Sequence, residues 1–316
     1  TEASGHTYYL MIGKSSPFTS ATSGGTDDSP PTPADDVTSE FYTFDSGIAA
    51  KKIASTNITF AIPRRDHSTS TVYDKYEHNI SSSNTTNSGA TNLFDSTFYF
   101  RTSANRVYKV LDNGSNGLMT AEPTAEDAGI ITQDNYKLLY MYTITAAEQQ
   151  AFLTTDFMPV STDDTVSARA TDGKIEDTVI IVDGGESGTD GTHTDVDIRG
   201  DGTGGKATVV ISDNTVSSVT VTTAGSGYTF ATISDADIIT AGGGSLSGSN
   251  INVIIGPKGG HGSNAVEELG GHYVMLQSSL EGADGDDFLT ANDFREISLL
   301  VDPTNFGTST VASATT

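Results

Sequence analysis

The sequence contains no cysteine and no tryptophan, and only 16 Lys and Arg stand against 41 Asp and Glu. Without cysteine there is no disulfide framework, thiolate metal centre or cysteine nucleophile, which suits assembly in a reducing cytoplasm. Without tryptophan, and with aromatics at 8% of residues, a Trp-lined sugar groove is disfavoured. The formal charge of −25 produces a field that repels phosphate backbones and anionic lipid. Neither nucleic acid nor a membrane is therefore an expected partner. Apolar runs are too short for a transmembrane helix, and the polar start "TEASGHTYYLMIG" has no basic n-region or cleavage site.

Thr, Ser and 33 glycines are instead spread through short alternating segments, and helix formers are sparse. That composition predicts a mainly β protein. The expected fold is an antiparallel β-sandwich scaffold with two short helices and an inserted Gly-rich β module. Boundaries fall at residues 1–170 for the first part of the scaffold, 171–260 for the module, and 261–316 for the second part.

Tyr8 to Ile12 reads as a buried strand closed by Gly13 and a Ser-Ser-Pro turn. Residues 19–40, with Pro30, Pro31 and Pro33, read as an extended surface segment. Ile53, Ile58, Phe60 and Ile62 alternate with polar positions and predict a half-buried strand running into Pro63. "NISSSNTTNSGATN" reads as a solvated loop. "STFYFRTSANRVYKVLDN" predicts two strands joined by a Ser-Ala-Asn turn, and "YKLLYMYTIT" predicts another. Thr145 with Glu148, and Asn264 with Glu267, form capping-box patterns that open the two helices, the second stopped at Gly270. Between them "TVIIVD", "ATVVIS", "VSSVTVTT" and "NINVIIG" are strands separated by Gly-Asp turns. Gly225 and Gly227 permit a positive-φ turn there, and Tyr228 caps the core. Near the end "DFREISLLVDPTNF" predicts a strand with Ile297, Leu299 and Val301 on one face, stopped by Pro303.

Candidate chemistry is thin. "GDGTGG" at 200–205 satisfies the dinucleotide spacing, but a strand rather than a helix follows, so it reads as a β-turn. Asp195, Asp197 and Asp201 suggest a calcium loop, yet Arg199 and Lys206 stand where that pattern needs oxygen ligands. Glu281 to Phe288 reads as a solvated acidic loop. The six histidines form no tight ligand pair, although His261 and His272 flank the second helix and could meet. No nucleophile elbow and no distinct carboxylate dyad is present. The chain is expected to be neither an enzyme nor a cofactor protein, and no metal site is assigned.

"AIPRRDHSTSTVYDKYEH" is different. Adjacent side chains on an extended backbone point to opposite faces, so Arg64 and Arg65 cannot form one phosphate cradle. Their forks suit bidentate pairing with two separate carboxylate sets, at least one of them expected to be buried. Either an internal salt-bridge node at a strand end or an intersubunit contact fits.

Taken in order, "YYLMIGKSSPF", "AIPRRD", "VYKVLDN", "YKLLYMYTI" and "FREISLLVDP" resemble the baseplate wedge subunits of the gene product eight type in T-even-like contractile-tailed bacteriophages. The motifs that correspond are carried by Gly13, Lys14, Ser16, Pro17, Ile62, Pro63, Arg64, Arg65, Asp66, Phe294, Arg295, Ile297, Ser298 and Pro303. The resemblance covers residues 8–160 and 263–306 and skips the Gly-rich module. His67 stands where that family commonly has an aromatic after Arg-Arg-Asp. The resemblance implies a homodimeric structural protein of the virion tail baseplate, assembled in the host cytoplasm and bound to other wedge proteins. On that basis Gly13, Lys14, Pro17, Pro63, Arg64, Arg65, Asp66, Arg295 and Pro303 are expected structural or interface residues. A carbohydrate-binding or Ca²⁺-dependent adhesin-like tail protein is the competing expectation.

Overall fold

A computed structural model describes residues 5–20, 24–176, 179–279 and 292–312. Strands β1 (Tyr8–Gly13), β2 (Gly47–Lys52), β3 (Ile58–Pro63), β4 (Tyr99–Arg101), β5 (Arg106–Asp112), β6 (Ile130–Gln133), β7 (Tyr136–Thr143) and β8 (Phe157–Val160) precede the Gly-rich segment. That segment holds β9 (Val179–Gly188), β10 (Gly191–Asp197), β11 (Arg199–Gly200), β12 (Lys206–Ser212), β13 (Thr215–Thr223), β14 (Ala231–Thr232) and β15 (Gly244–Val253). β16 (Tyr273–Leu276) and β17 (Glu296–Val301) follow. The α-helices are α1 (Val37–Asp45), α2 (Ala146–Phe152), α3 (Asp164–Ser167), α4 (Asp235–Ile238) and α5 (Ala265–Glu268). The architecture is mainly β, with antiparallel ladders in several sheets.

Two helices were expected and five are present among the described residues, a correction to the sequence reading. Each of the three additional ones starts at a side-chain cap: Asp36 for α1, Asp163 for α3 and Ser234 for α4. Short polar residues of this kind satisfy the free N–H groups of a first helical turn, and α3 and α4, at four residues each, are too short to show a helical period. α2 forms with its full Thr145–Glu148 capping box. At α5, Asn264 accepts from the N–H groups of Val266 and Glu267. The carboxylate that reaches back to the Asn264 N–H belongs to Glu268, one residue later than expected.

The chain divides into two compact units, Thr1–Thr59 with Met275–Thr316, and Phe60–Val274. In the first, β1 lies between β17 and β2 in a three-stranded sheet. Its buried large apolar residues, among those described, are Tyr9, Met11 and Ile12. Ile297, Leu299 and Val301 do share one face of β17, and that face is exposed. The segment read as extended, 19–40, gives way at residue 37 to α1, which runs on to Asp45. The predicted strand through Ile53 to Pro63 is broken by a 3₁₀ turn at Ser55–Asn57. Beyond it Phe60 is exposed while Ala61 and Ile62 are buried, so burial does not alternate there.

The second unit is built on the sheet β4-β5-β7-β6. One face packs Tyr99, Val107, Leu111, Leu139 and Met141 against Ile62 of β3, Met158 and Val160 of β8, and Ala265 and Leu269 at α5. The other packs Phe100, Tyr108, Val110, Leu138 and Tyr140 against Tyr73, Met119 and Val166. A sheet covered on both faces explains why β5 and β7 read as near-continuous apolar runs. The Gly-rich segment adds sheets β10-β12-β13 and β11-β14-β15-β9 around a core of its own, which includes Val209, Ile211, Tyr228, Leu246 and Ile251. Tyr228 is 3% exposed, and its hydroxyl receives the Gly205 N–H and donates to Ile198 O. Gly225 and Gly227 take the expected positive φ, +63° and +74°.

Candidate functional site

The Arg-Arg-Asp motif leaves β3 at Pro63, whose carbonyl receives the Tyr99 hydroxyl. Arg64 places Nε and Nη2 on one oxygen of Asp66, at 2.9 and 2.7 Å, and Nη1 on Thr154 O at 2.8 Å. The other Asp66 oxygen is held by Arg101, with Nε at 2.8 Å and Nη2 at 2.7 Å. Partial burial works to raise the pKa of Asp66, but hydrogen bonds from Arg64 and Arg101 outweigh it and keep the carboxyl below its ordinary range. Arg65 turns the other way, as two successive residues on extended backbone must. Among the described residues it pairs with no carboxylate: the guanidinium lies 4.4 Å from the Tyr99 ring centroid and Nη2 donates to Phe94 O.

The expected pair of carboxylate sets is thus corrected. One Arg shares Asp66 with Arg101, while the other stacks on a ring and caps a carbonyl. Nor is Asp66 buried, since its side chain is 44% exposed. The His67 ring packs among aromatics, 5.4 Å from Phe100 and 6.0 Å from Tyr73 by centroid.

The remaining motif residues meet in the first unit. Arg295 donates Nε to Asp27 and Nη1 to Ser15 O, each at 2.8 Å, and its N–H goes to Gly13 O. The Arg295 hydrogen bond holds the Asp27 carboxyl below the ordinary range. Lys14, at φ +57°, gives its N–H to Ser46 O and sets its ammonium 4.8 Å from the Phe18 ring centroid. A Cβ on Gly13 would sit 3.1 Å from Ser46 O, so glycine allows the two backbones to approach. Pro17 is exposed in the loop that Arg295 clamps. Pro303 ends β17 and its carbonyl accepts the Ala312 N–H.

The buried ion pair lies elsewhere and was not anticipated. Lys109 on β5 and Glu268 on α5 are joined at 2.8 Å, with side chains 0% and 2% exposed. Glu268 also receives the N–H groups of Gly262 and Asn264, and the Lys109 ammonium lies 4.1 Å from the Tyr76 ring centroid. His261 packs edge-on against Tyr76, and burial followed by the Lys109 charge pushes its pKa well below the ordinary value. His272 packs on Phe94. The two histidines flanking α5 therefore serve different aromatic contacts and form no ligand pair. A water-sized cavity beside His261 is lined by Leu111, Leu139, Arg169, Lys174 and Glu176.

In the Gly-rich segment two acids of the calcium-like loop, Asp197 and Asp201, are engaged by their own chain. Asp197 is bound by Lys206 and Arg199, and Arg199 is also bound by Asp237. Asp201 caps Thr229 and Phe230, and these hydrogen bonds, the Thr229 hydroxyl's first, bring its pKa down to about 2. A strand follows "GDGTGG", as the turn reading expects. The loop Glu281 to Phe288 lies outside the described residues. Among the described residues no grouping of three or more His, Asp or Glu is suited to a metal ion, and no helix is long and apolar enough to cross a membrane. No protein-family model matches the sequence, and no curated protein matches it significantly.

Proposed function

We propose that this chain is a structural subunit of a contractile-tail baseplate wedge, homodimeric, whose work is to hold neighbouring subunits in the virion. The observation that carries the reading is the meeting of its opening and closing motifs. Arg295 of "FREIS" donates to the backbone of Ser15 in "GKSSP" across 280 positions of chain. Residues of the resemblance are thus used as backbone clamps, a use that suits a scaffold. The first unit gives a second support. Among its described residues it buries only Tyr9, Met11 and Ile12 of the large apolar side chains and leaves Phe41, Tyr42, Phe44, Phe294, Ile297 and Leu299 exposed, a pattern that marks interaction surface in soluble proteins.

The test is immunogold labelling of purified contractile-tail particles with antibody to this chain, together with its mass by light scattering. Label at the baseplate end and a mass of twice 32.9 kDa are expected. Particles without label, or a stable monomer, would overturn the reading.

A further inference from the structure

Helix α1 is inside out. Val37, Phe41 and Phe44 fall at i, i+4 and i+7, one stripe along the helix, and they are 82%, 65% and 67% exposed. The half-buried residues are Ser39 and Thr43, on the opposite side. No residue of α1 is fully buried. Tyr42, 66% exposed, extends the apolar surface by packing edge-on against Phe41 at 5.7 Å. A helix of nine residues is marginal in water unless its apolar face packs. Caps at both ends, the Asp36 side chain on Thr38 and Ser39 and the Ser46 N–H on Tyr42, define the helix but bury nothing.

The charges around the stripe specify what covers it. By helical spacing Glu40 lies on one side and Asp45 on the other, Asp35 and Asp36 precede the first turn, and residues 35–45 contain no Lys, Arg or His. We infer that α1 is a docking helix that seats Val37, Phe41 and Phe44 in an apolar groove rimmed by Lys and Arg on a different protein. Charge complementarity sets that choice. A symmetric contact with a second copy through this face would place the same acids against themselves. An anionic membrane is disfavoured by the same charges, because interfacial helices carry a basic polar face. Helix-in-groove recognition uses the spacing found here. The identification of the partner as a neighbour in the same particle rests on the wedge reading; its basic groove does not.

The test places a photoreactive benzoyl-phenylalanine at position 41 of the full chain, and irradiates both assembled particles and the cells that produce them. The expected product is a cross-link to another protein, mapped to a segment flanked by Lys or Arg. Phe41→Asp with Phe44→Asp is expected to lower incorporation at least tenfold with an unchanged circular dichroism spectrum, since both side chains are exposed. Glu40→Lys with Asp45→Lys should lower it as well. A cross-link to a second copy, a cross-link to an acidic segment, or none in either setting would overturn the inference. A basic-segment cross-link in cells, combined with tails that carry no label, would retain the docking helix and remove the wedge reading.

Discussion

Lys109 and Glu268 are 159 residues apart in sequence and 2.8 Å apart in the fold, joined between β5 and α5 where neither side chain is more than 2% exposed. Burial lowers the pKa of Lys109, and the Glu268 charge opposes that shift. An ion pair in such a place fixes how two elements meet more than it stabilises them, since desolvation offsets much of the Coulomb gain. The carboxylate has a second task here, because it accepts the N–H groups of Gly262 and Asn264 and so ties down the turn entering α5.

Lys109→Met is accordingly expected to destabilise the protein by about 3–5 kcal/mol, the usual cost of leaving one buried charge uncompensated. Lys109→Met combined with Glu268→Gln should recover at least about 1 kcal/mol, because an amide oxygen still accepts from the turn and carries no charge. Urea denaturation at pH 7 measures both. A single variant within about 1 kcal/mol of wild type, as exposed pairs give, would show that water reaches the pair.

At the Arg-Arg-Asp motif the two arginines should respond differently. Arg64→Ala is expected to cost about 1 kcal/mol or less, because Asp66 is 44% exposed and Arg101 still holds it. Asp66→Ala should cost more, since it releases Arg64 and Arg101 together. Arg65→Ala should cost about 1–3 kcal/mol by removing both the stack on Tyr99 and the hydrogen bond to Phe94 O, and Arg65→Lys should lie between. Chemical denaturation of the four variants gives the ranking. A larger loss at Arg64 than at Arg65 would mean that the Asp66 node, and not the ring stack, carries the motif.

Features set by neighbours in sequence were legible before the fold was known. The Thr145–Glu148 box, the Asn264 cap, the Gly225 turn and the strand pair around Asn105 all depend on side chains within a few positions of one another. The partner of Arg65 was not legible, because a backbone carbonyl and a ring face leave no charged residue to search for. Lys109 with Glu268 was hidden by separation, and by Lys109 lying inside an apolar run where a lone charge looks like a solvent-facing position. Helix α1 carried a signal that could have been read, Asp36 ahead of the Val37, Phe41 and Phe44 spacing. Pro30, Pro31 and Pro33 and the scarcity of apolar side chains over residues 19–40 favour the extended reading instead.

A pH dependence follows from Asp74, a residue 2% exposed that joins the loop at Ser88 to Thr97. Burial alone would raise its pKa, but hydrogen bonds from Ser88 and Thr97 outweigh burial and lower it from 3.8. A carboxyl depressed in the folded state contributes stability that is present above the unfolded pKa and is lost as pH falls through the folded one. Asp74→Asn should therefore destabilise by about 1–3 kcal/mol at pH 7, and the gap to wild type should shrink as pH falls below 3.8. Paired urea titrations from pH 7 to about 2.5 measure the difference. A gap independent of pH would show that Asp74 acts through shape and not charge.

The Gly-rich segment offers a cut that preserves the rest of the second unit. Its two ends touch: a Cβ on Gly260 would lie 2.4 Å from Thr171 O. Removing all of residues 171–260 would nonetheless take Ile254 out of the core formed with Tyr99, Leu111 and Met141, a loss of about 2–5 kcal/mol by comparison with truncated core side chains. The ladder between β9 and β15 provides a better boundary, because Val179 pairs with Val253 and Ile181 with Ile251. Replacing residues 182–250 by a short Asn-Gly turn leaves that pair as a hairpin, keeps Ile254 in place and removes β10 to β14, which pack around a separate core. The trimmed chain is expected to unfold in one cooperative step with a smaller urea m-value, in proportion to the surface removed, whereas the full deletion should unfold at lower urea. A trimmed chain that binds hydrophobic dye and lacks a transition would show that the core around Val209 and Leu246 is required for the sheet β4-β5-β7-β6 to fold.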